Sequence, residues 1–300
     1  MAISQVRAKV NGTWHILTYN SGTGKYEAAI TAPGATSYHQ PGGYYDVEIE
    51  ATNDAGTTVT ATGADLAGLR LVVREKVPPV ITITSPASGA FVTNNRQPVT
   101  FTITDETGGS GVDLSTLAVK QDGSAVASSA IATTEISNGY QATYTPAAAL
   151  ADGSHTVTIT CSDHDGNGAA SQSTTYKVDT VPPTLNVASP AAGLMTNQPG
   201  LTVSGTTNDA TSSPVTVKIT LNGADQGAVS VESGGAFRKA VTLAEGSNTL
   251  VITATDGAGK VSSVTRSVTL DTGVPVIQSA TVLPNPADAG ATVILSVVIA

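Results

Sequence analysis

Three segments of the chain are versions of one another. GYYDVEIEATNDAG at 43–56, GSHTVTITCSDHDG at 153–166 and GSNTLVITATDGAG at 246–259 share an opening glycine, an alternating apolar run and a turn rich in Asp, Asn and Gly. This echo sits inside a longer repeat. Val77-Pro78-Pro79 leads into VITITSPASGAFVTNN, Val181-Pro182-Pro183 into TLNVASPAAGLMTNQ, and Val274-Pro275-Val276 into VIQSATVLPNP. The spacing between these prolines is roughly 100 residues, the length of a whole domain and far above the units of a solenoid. The chain is therefore expected to fold as domains in tandem.

Alternation says what kind of domain. Val215, Val217, Ile219 and Leu221 occupy every second position, as do Leu250, Ile252 and Ala254. A period of two buries one face of a strand and wets the other. The segments LNVAS, LTVSGTT, VTVKITLNG, AVSVES, FRKAVTL, NTLVITATD and VTRSVTLD follow one another in the third repeat, punctuated by Asn222-Gly223, Gly234-Gly235 and Asp256-Gly257. Seven short antiparallel strands in one repeat match an immunoglobulin-like sandwich. The expected architecture is all-β, with tandem sandwiches in an elongated array: a diverged domain at 1–77, domains at 78–181 and 182–273, and the start of an incomplete fourth at 274–300. The Val-Pro joints restrict φ and remove donors, which predicts short, stiff links.

Composition narrows the partners. Hydrophobic residues make up 40 % of the chain and aromatics only 4 %, enough for sandwich cores built from β-branched side chains. The net charge of −9 arises almost wholly beyond residue 76, and an acidic surface repels phosphate backbones, so nucleic acid is not an expected partner. No apolar run approaches the ~20 residues of a membrane-spanning helix, so no membrane insertion is expected. The opening MAISQVRAKVNGTW lacks the apolar core and cleavage site of a conventional secretion signal. A lone cysteine, Cys161, excludes an intrachain disulfide.

Residue chemistry points away from catalysis. The four histidines, His15, His39, His155 and His164, stand beside no nucleophile motif. His155 aligns with Tyr45 and Asn248 in the other echoes, and this variety predicts a tolerant surface position. Cys161 aligns with Ala51 and Ala254 and is expected to be buried and inert. Ser21-Gly-Thr-Gly-Lys25 fails as a phosphate loop, because Tyr19 and Tyr26 stand where a glycine and a metal-binding hydroxyl belong. Trp14 and Tyr26 are expected in the core of the first domain. The adjacent Tyr44 and Tyr45 must point to opposite faces, so this pair is the candidate surface for a glycan.

One motif bears on metal. Asp163-His-Asp165-Gly-Asn167-Gly168 matches the first half of a calcium loop, in which alternate oxygens turn inward and a glycine permits the sharp bend. The bidentate Glu that closes such loops is replaced by Thr174, so a further ligand is needed, and Asp179 in the next joint is the natural candidate. The expectation is no cofactor beyond a structural calcium held by Asp163, Asp165, Asn167 and Asp179. The competing reading is a plain Asp/Gly hairpin.

Ser189-Pro190-Ala191-Ala192-Gly193, Ala254-Thr255-Asp256-Gly257-Ala258-Gly259 and Asp179-Thr180-Val181-Pro182-Pro183 resemble the leader, hairpin and joint of tandem bacterial Ig-like domains. Residues 182–273 resemble the accessory β-domain of glucodextranase, and residues 1–60, with NGTWHILTYNSGTGKYEAAITAP, resemble Ig-like modules of prophage structural proteins. The resemblance implies a non-enzymatic structural or adhesive protein. With no secretion signal in view, the expected setting is a phage or prophage virion, where such modules sit among other virion or cell-surface proteins and attach to a host-surface glycan. The alternatives are a secreted adhesin stalk and the accessory region of a carbohydrate-active enzyme, both extracellular or at the cell surface.

Overall fold

In the computed structural model residues 2–300 are described, and among them every regular element except three short 3-10 turns is a strand. The chain forms two compact units, Met1–Val178 and Asp179–Ala300.

The first unit opens with β1 (Ile3–Val10), β2 (Thr13–Asn20), β3 (Lys25–Glu27), β4 (Tyr45–Asn53), β5 (Thr58–Ala61) and β6 (Arg70–Leu71). These make a single sheet in the order β3-β2-β1-β4-β5, with β6 also paired to β4. Among the described residues no second sheet closes over this one. Its core is accordingly thin: Val6, Ala8, Val10 and Tyr45 are buried, but Val47, Ile49 and Ala51 of the first echo are only half-buried. Trp14 and Tyr26, expected in a core, instead lie half-buried on the sheet. Trp14 is covered by the guanidinium of Arg7, 4.2 Å from its ring centre, and Tyr26 packs on the exposed Tyr19. The reason is register: Trp14 faces Lys9 across the ladder and so shares the charged face, not the Val6-Ala8-Val10 face.

The rest of the first unit comprises β7 (Val80–Ser85), β8 (Phe91–Val92), β9 (Val99–Thr104), β10 (Val112–Gln121), β11 (Ser124–Ala125), β12 (Ile131–Ile136), β13 (Gly139–Tyr144), β14 (Gly153–Asp163) and β15 (Gln172–Val178). They form two sheets, β12-β13-β9-β7 and β11-β10-β14-β15-β8. Phe101, Ile103, Val157, Ile159, Tyr176 and Val178 fill the space enclosed and are fully buried. Cys161 belongs to the same core, as its alignment with two alanines requires, and burial pushes its thiol pKa up.

The second unit repeats the plan with β16 (Thr184–Ser189), β17 (Leu194–Thr196), β18 (Gly200–Asn208), β19 (Thr216–Leu221), β20 (Ala224–Asp225), β21 (Ala236–Thr242), β22 (Gly246–Thr255) and β23 (Val261–Leu270). The sheets run β16-β18-β21 and β17-β23-β22-β19-β20. Val203, Ile219, Leu250, Ile252 and Val268 are fully buried between them. Asn222-Gly223 joins β19 to β20 with φ of 51° and 84°, the positive pair that a two-residue hairpin needs. Asp122-Gly123 and Asn11-Gly12 do the same after β10 and β1. The single sheet of residues 3–71 thus corresponds to the five-stranded sheet of each sandwich. At Gly205 a Cβ would sit 2.1 Å from the Asn186 carbonyl and 2.7 Å from the Phe237 ring, so only glycine lets β16 and the core approach β18. Beyond β23 follow β24 (Ile277–Leu283) and β25 (Ile294–Ile299), an antiparallel pair with every residue exposed.

Removing core volume at the centre of the second sandwich should be costly. Ile252→Ala is expected to lower the stability of the second unit by about 2–5 kcal/mol, whereas Thr253→Ala should stay within about 0.5 kcal/mol. Urea unfolding of the two variants checks this, and coincident transitions would contradict the assigned faces.

Candidate metal centre

The last inward position of each echo is Asn53, Asp163 or Asp256. Each caps its own turn with one oxygen. Asn53 Oδ1 accepts the backbone N–H groups of Ala55 and Thr57, and Asp256 Oδ1 accepts those of Ala258 and Lys260, all at 2.8–2.9 Å. Asp163 Oδ1 accepts the Asn167 N–H at 2.8 Å. This is the turn chemistry for which Asp and Asn are favoured, and it occupies only half of a carboxylate. The copies differ in the other half. Asp163 Oδ2 accepts from the side-chain amide of Asn167 at 2.8 Å, whereas Asp256 Oδ2 is buried and has no hydrogen-bond donor.

Around Asp256 two further acids assemble. Asp179 comes from the joint before β16, and Asp209 from the loop after β18. The three residues are 1 %, 8 % and 6 % exposed for Asp179, Asp209 and Asp256, and one carboxylate oxygen of each lies within 4.8 Å of the others. Ser212 organises them: its hydroxyl donates to Asp179 Oδ2, its N–H donates to Asp209 Oδ1 at 2.7 Å, and its carbonyl accepts the Gly257 N–H at 2.7 Å. Among the described residues no Lys, Arg or His forms an ion pair with any of the three. The ion pairs elsewhere are Arg7–Glu50, Lys9–Glu48, Lys218–Asp225 and two that involve histidine. Two like charges about 5 Å apart repel by about 3 kcal/mol at an effective dielectric constant of 20, so such a cluster needs compensation.

Equivalent acids gather in the first unit. Glu75 precedes Val77-Pro78-Pro79 as Asp179 precedes Val181-Pro182-Pro183, and Asp105 ends T-I-T-D as Asp209 ends T-T-N-D. Glu75, Asp105 and Glu106 bring oxygens within 4.8 Å of one another. Here protein groups supply part of the compensation, while Asp105 Oδ1 and Glu106 Oε2 are buried without a hydrogen-bond donor. Glu75 accepts from the Ser110 hydroxyl at 3.1 Å, Asp105 Oδ2 from the Gly111 N–H at 2.7 Å, and Asp165 Oδ2 from the Thr36 hydroxyl and the Glu75 N–H. Burial, with Asp163 adjacent, raises the Glu75 pKa. Asp163 is raised by burial too, but the Asn167 side chain and backbone N–H outweigh this and hold it below the usual carboxylate range.

The four residues expected to share a calcium ion therefore fall into two groups. Asp163, Asp165 and Asn167 lie in one turn of the first unit, where Asp165 is directed to Thr36 and Glu75 and the Asn167 amide donates to Asp163 and to the Glu75 carbonyl. Asp179 lies in the second unit beside Asp209 and Asp256. Asp209 went unnoticed in the sequence because it matches no loop motif; its signal is its equivalence to Asp105.

Of the tyrosine pair, expected to have one exposed member, neither is fully exposed. Tyr45 is 6 % exposed and Tyr44 half-buried, with the Arg70 guanidinium 5.1 Å over its ring. Tyr44 lines a groove of about 470 Å³ together with Lys9, Gln40, Pro41 and Glu48. The Tyr45 hydroxyl donates to the Ala35 carbonyl. At the equivalent echo position the Asn248 amide donates to Ala244 O at 2.7 Å, and His155 Nε2 lies 2.8 Å from Ala151 O. The position expected to be a tolerant surface site is thus a clamp that ties the echo strand to the loop before it. Three different side chains meet the same need, much as a tyrosine corner does. His155 Nδ1 faces Asp122 Oδ2 at 2.7 Å, so the ring donates from both nitrogens when charged.

Residues 82–180 match the family model described as "Bacterial Ig-like domain", and residues 183–272 the model described as "Glucodextranase, domain B". The two sandwiches are tandem Ig-like domains. Solved structures similar to the chain include titin domains A168-A170, at 14 % identity over 88 % of this chain and 85 % of that one, with a TM-score of 0.41. Fibronectin(III)-like modules of Clostridium thermocellum CbhA are similar at 16 % identity over 64 % of this chain and 94 % of that one, with a TM-score of 0.39. Bacteroides ovatus SGBP-B, solved with a mixed-linkage heptasaccharide, is similar at 16 % identity over 95 % of this chain and 64 % of that one, with a TM-score of 0.22. No curated protein sequence matches.

Burial lowers the His155 pKa, but the hydrogen bonds to Asp122 and Ala151 O outweigh it and raise the value above 6.5. A group whose folded pKa is raised contributes its stability fully below the unfolded value and loses it as pH rises through the folded one. The thermal stability of the first unit should therefore fall as pH rises above 6.5, and His155→Gln should flatten that dependence. A wild-type profile already flat there would contradict the clamp.

Proposed function

We propose that the chain is a non-catalytic structural and adhesive arm, carried on a virion or a bacterial surface, whose Ig-like modules present a glycan-facing groove to a host surface. One observation carries this reading: the joint acid and the strand-end Asp meet at equivalent places in two successive modules, joined by Glu106 in the first and by the echo Asp256 in the second. An active site is one constellation made once, whereas a spacer needs the same joint made repeatedly. The histidines fit this view. His155 is committed to a clamp, His39 lies 2.9 Å from the Gly109 carbonyl, and His164 is stacked on Tyr38 with ring centres 4.4 Å apart. Cys161, buried with its thiol pKa raised, is no nucleophile.

Within this reading Tyr44 is the residue that meets a sugar, since Tyr45 is spent on holding Ala35. A half-buried aromatic beside the polar ends of Lys9, Gln40 and Glu48 offers an apolar face and hydrogen-bonding groups together. The match of residues 183–272 to a domain of glucodextranase favours a second reading, the accessory region of a carbohydrate-active enzyme.

Co-sedimentation of the full chain with intact bacteria, isolated cell walls and insoluble glucans tests both. Saturable binding to cells or walls is expected, reduced at least 10-fold by Tyr44→Ala with an unchanged melting curve. Binding to glucan alone would favour the enzyme-accessory reading, and binding to none of the three would overturn the adhesive one.

A further inference from the structure

We propose that the outer edge of β12, in the first sandwich, is a docking site for an extended peptide that ends in an apolar residue and a free carboxylate. β12 stands at the end of the sheet β12-β13-β9-β7, so only one of its two edges is paired. Register says which groups are left over. β12 and β13 join through Ser137-Asn138, with Ile136 opposite Gly139, and a pair closed by two residues exchanges its own hydrogen bonds. Alternation then turns the N–H and C=O of Thr133 and Glu135 away from β13. No other backbone group among the described residues bonds to either. Such an edge is a template for a further strand.

At its Ile131 end β12 borders a groove of about 610 Å³. Val126, Ala130, Ile131 and Ala147 give the groove apolar walls. Tyr144 also lines it, with a side chain that is 3 % exposed and makes no hydrogen bond among the described residues. The one charged side chain of the groove is Arg96. Its Nε and Nη2 donate to the Pro146 and Ala147 carbonyls at 3.0 and 2.8 Å, which fixes the guanidinium without neutralising it. Among the described residues Arg96 pairs with no carboxylate. A cation held by neutral groups beside an apolar hollow suits an anion with an apolar body.

Direction selects the kind of anion. β12 runs from Ile131 to Ile136, so a strand added antiparallel to it runs toward Ile131 and ends there. Arg96 waits at that end, because the carbonyls it binds follow shortly after Tyr144, the cross-strand partner of Ile131. The other end of β12 carries Glu135, which is exposed, forms no ion pair among the described residues and repels a carboxylate. A parallel strand would set its carboxylate beside Glu135 and its amine beside Arg96, so the charges favour the antiparallel one. The backbone of the peptide then bonds Thr133 and Glu135, its last side chain enters the groove and its terminal carboxylate meets Arg96. A free apolar carboxylate would use the groove and Arg96 but leave the edge of β12 unpaired.

The test titrates the full chain into fluorescein-labelled hexapeptides Thr-Val-Thr-Val-Thr-X, with Val, Leu or Phe as the last residue, followed by fluorescence anisotropy. Each peptide is used as the free acid and as the C-terminal amide. At least one free acid should bind saturably, with its amide at least 10-fold weaker. Arg96→Gln should weaken the acid at least 10-fold and leave the amide unchanged, since it removes only the charge pair. Thr133→Pro deletes an outward N–H from an edge strand, where proline is tolerated, and should abolish binding of the acid. If Thr133→Pro alters the circular dichroism spectrum, Ala127→Trp, at an exposed position on the groove wall, should abolish binding instead. Absence of saturable binding by all three acids would overturn the site, as would equal affinity for acid and amide. Binding undiminished in Arg96→Gln would overturn the role of the carboxylate. Binding undiminished in a folded Thr133→Pro would overturn strand addition and leave the groove to a free carboxylate.

Discussion

One sheet of each of the two modules, and the sheet of the N-terminal region, is organised around the echo strand. It pairs with β1 and β5 in the first copy, with β10 and β15 in the second, and with β19 and β23 in the third. Each time the strand is interior, so its backbone groups are consumed on both edges and only its side chains remain to vary. In the two sandwiches the inward side chains are almost wholly buried: Val157, Ile159 and Cys161 in one, Leu250, Ile252 and Ala254 in the other. Where the opposing sheet is missing, the same positions, Val47, Ile49 and Ala51, are left half-buried, although the strand still forms. Backbone pairing thus specifies the strand, and the second sheet supplies most of its apolar burial.

The two ends of this strand hold the loops. At its start Tyr45, His155 or Asn248 reaches a carbonyl of the preceding loop. At its end Asn53, Asp163 or Asp256 caps the turn with one oxygen. Because the cap needs only that oxygen, the second oxygen of an Asp is available for other work, which an Asn in the same place could not offer as a charge. In the first sandwich the second oxygen receives the Asn167 amide, and in the second it is buried without a donor on an acid that lies beside Asp179 and Asp209. A repeated strand thereby acquires a different joint in each copy through one or two substitutions in its turn.

Much of this was readable before any coordinates. Alternation placed Ile252 inward and Thr253 outward, the Asn-Gly and Asp-Gly pairs marked the hairpins, and Cys161 could be assigned to the core from its two alanine counterparts. The failures share a cause. His155 read as a surface site because its counterparts differ chemically, yet the three side chains share a capacity that residue class conceals: each reaches a nearby carbonyl. Trp14 read as core because it is large, but its register beside Lys9 puts it on the charged face. Asp209 carried no local motif, since its partners lie far away in sequence, in the joint and in the echo. Periodicity and turn chemistry are local and legible, whereas convergence of distant side chains becomes visible only when the sheets are assembled.

The claim that the echo strand is the organising element of each copy is tested most directly by native-state hydrogen exchange resolved to single amides. Strands β14 and β22 should hold the slowest-exchanging amides of their sandwiches. Strand β4 should be the slowest in its own sheet but faster than either, and the exposed pair β24 and β25 faster still. Slowest exchange in edge strands such as β12 or β16, or protection of β4 equal to that of β14 and β22, would contradict the account.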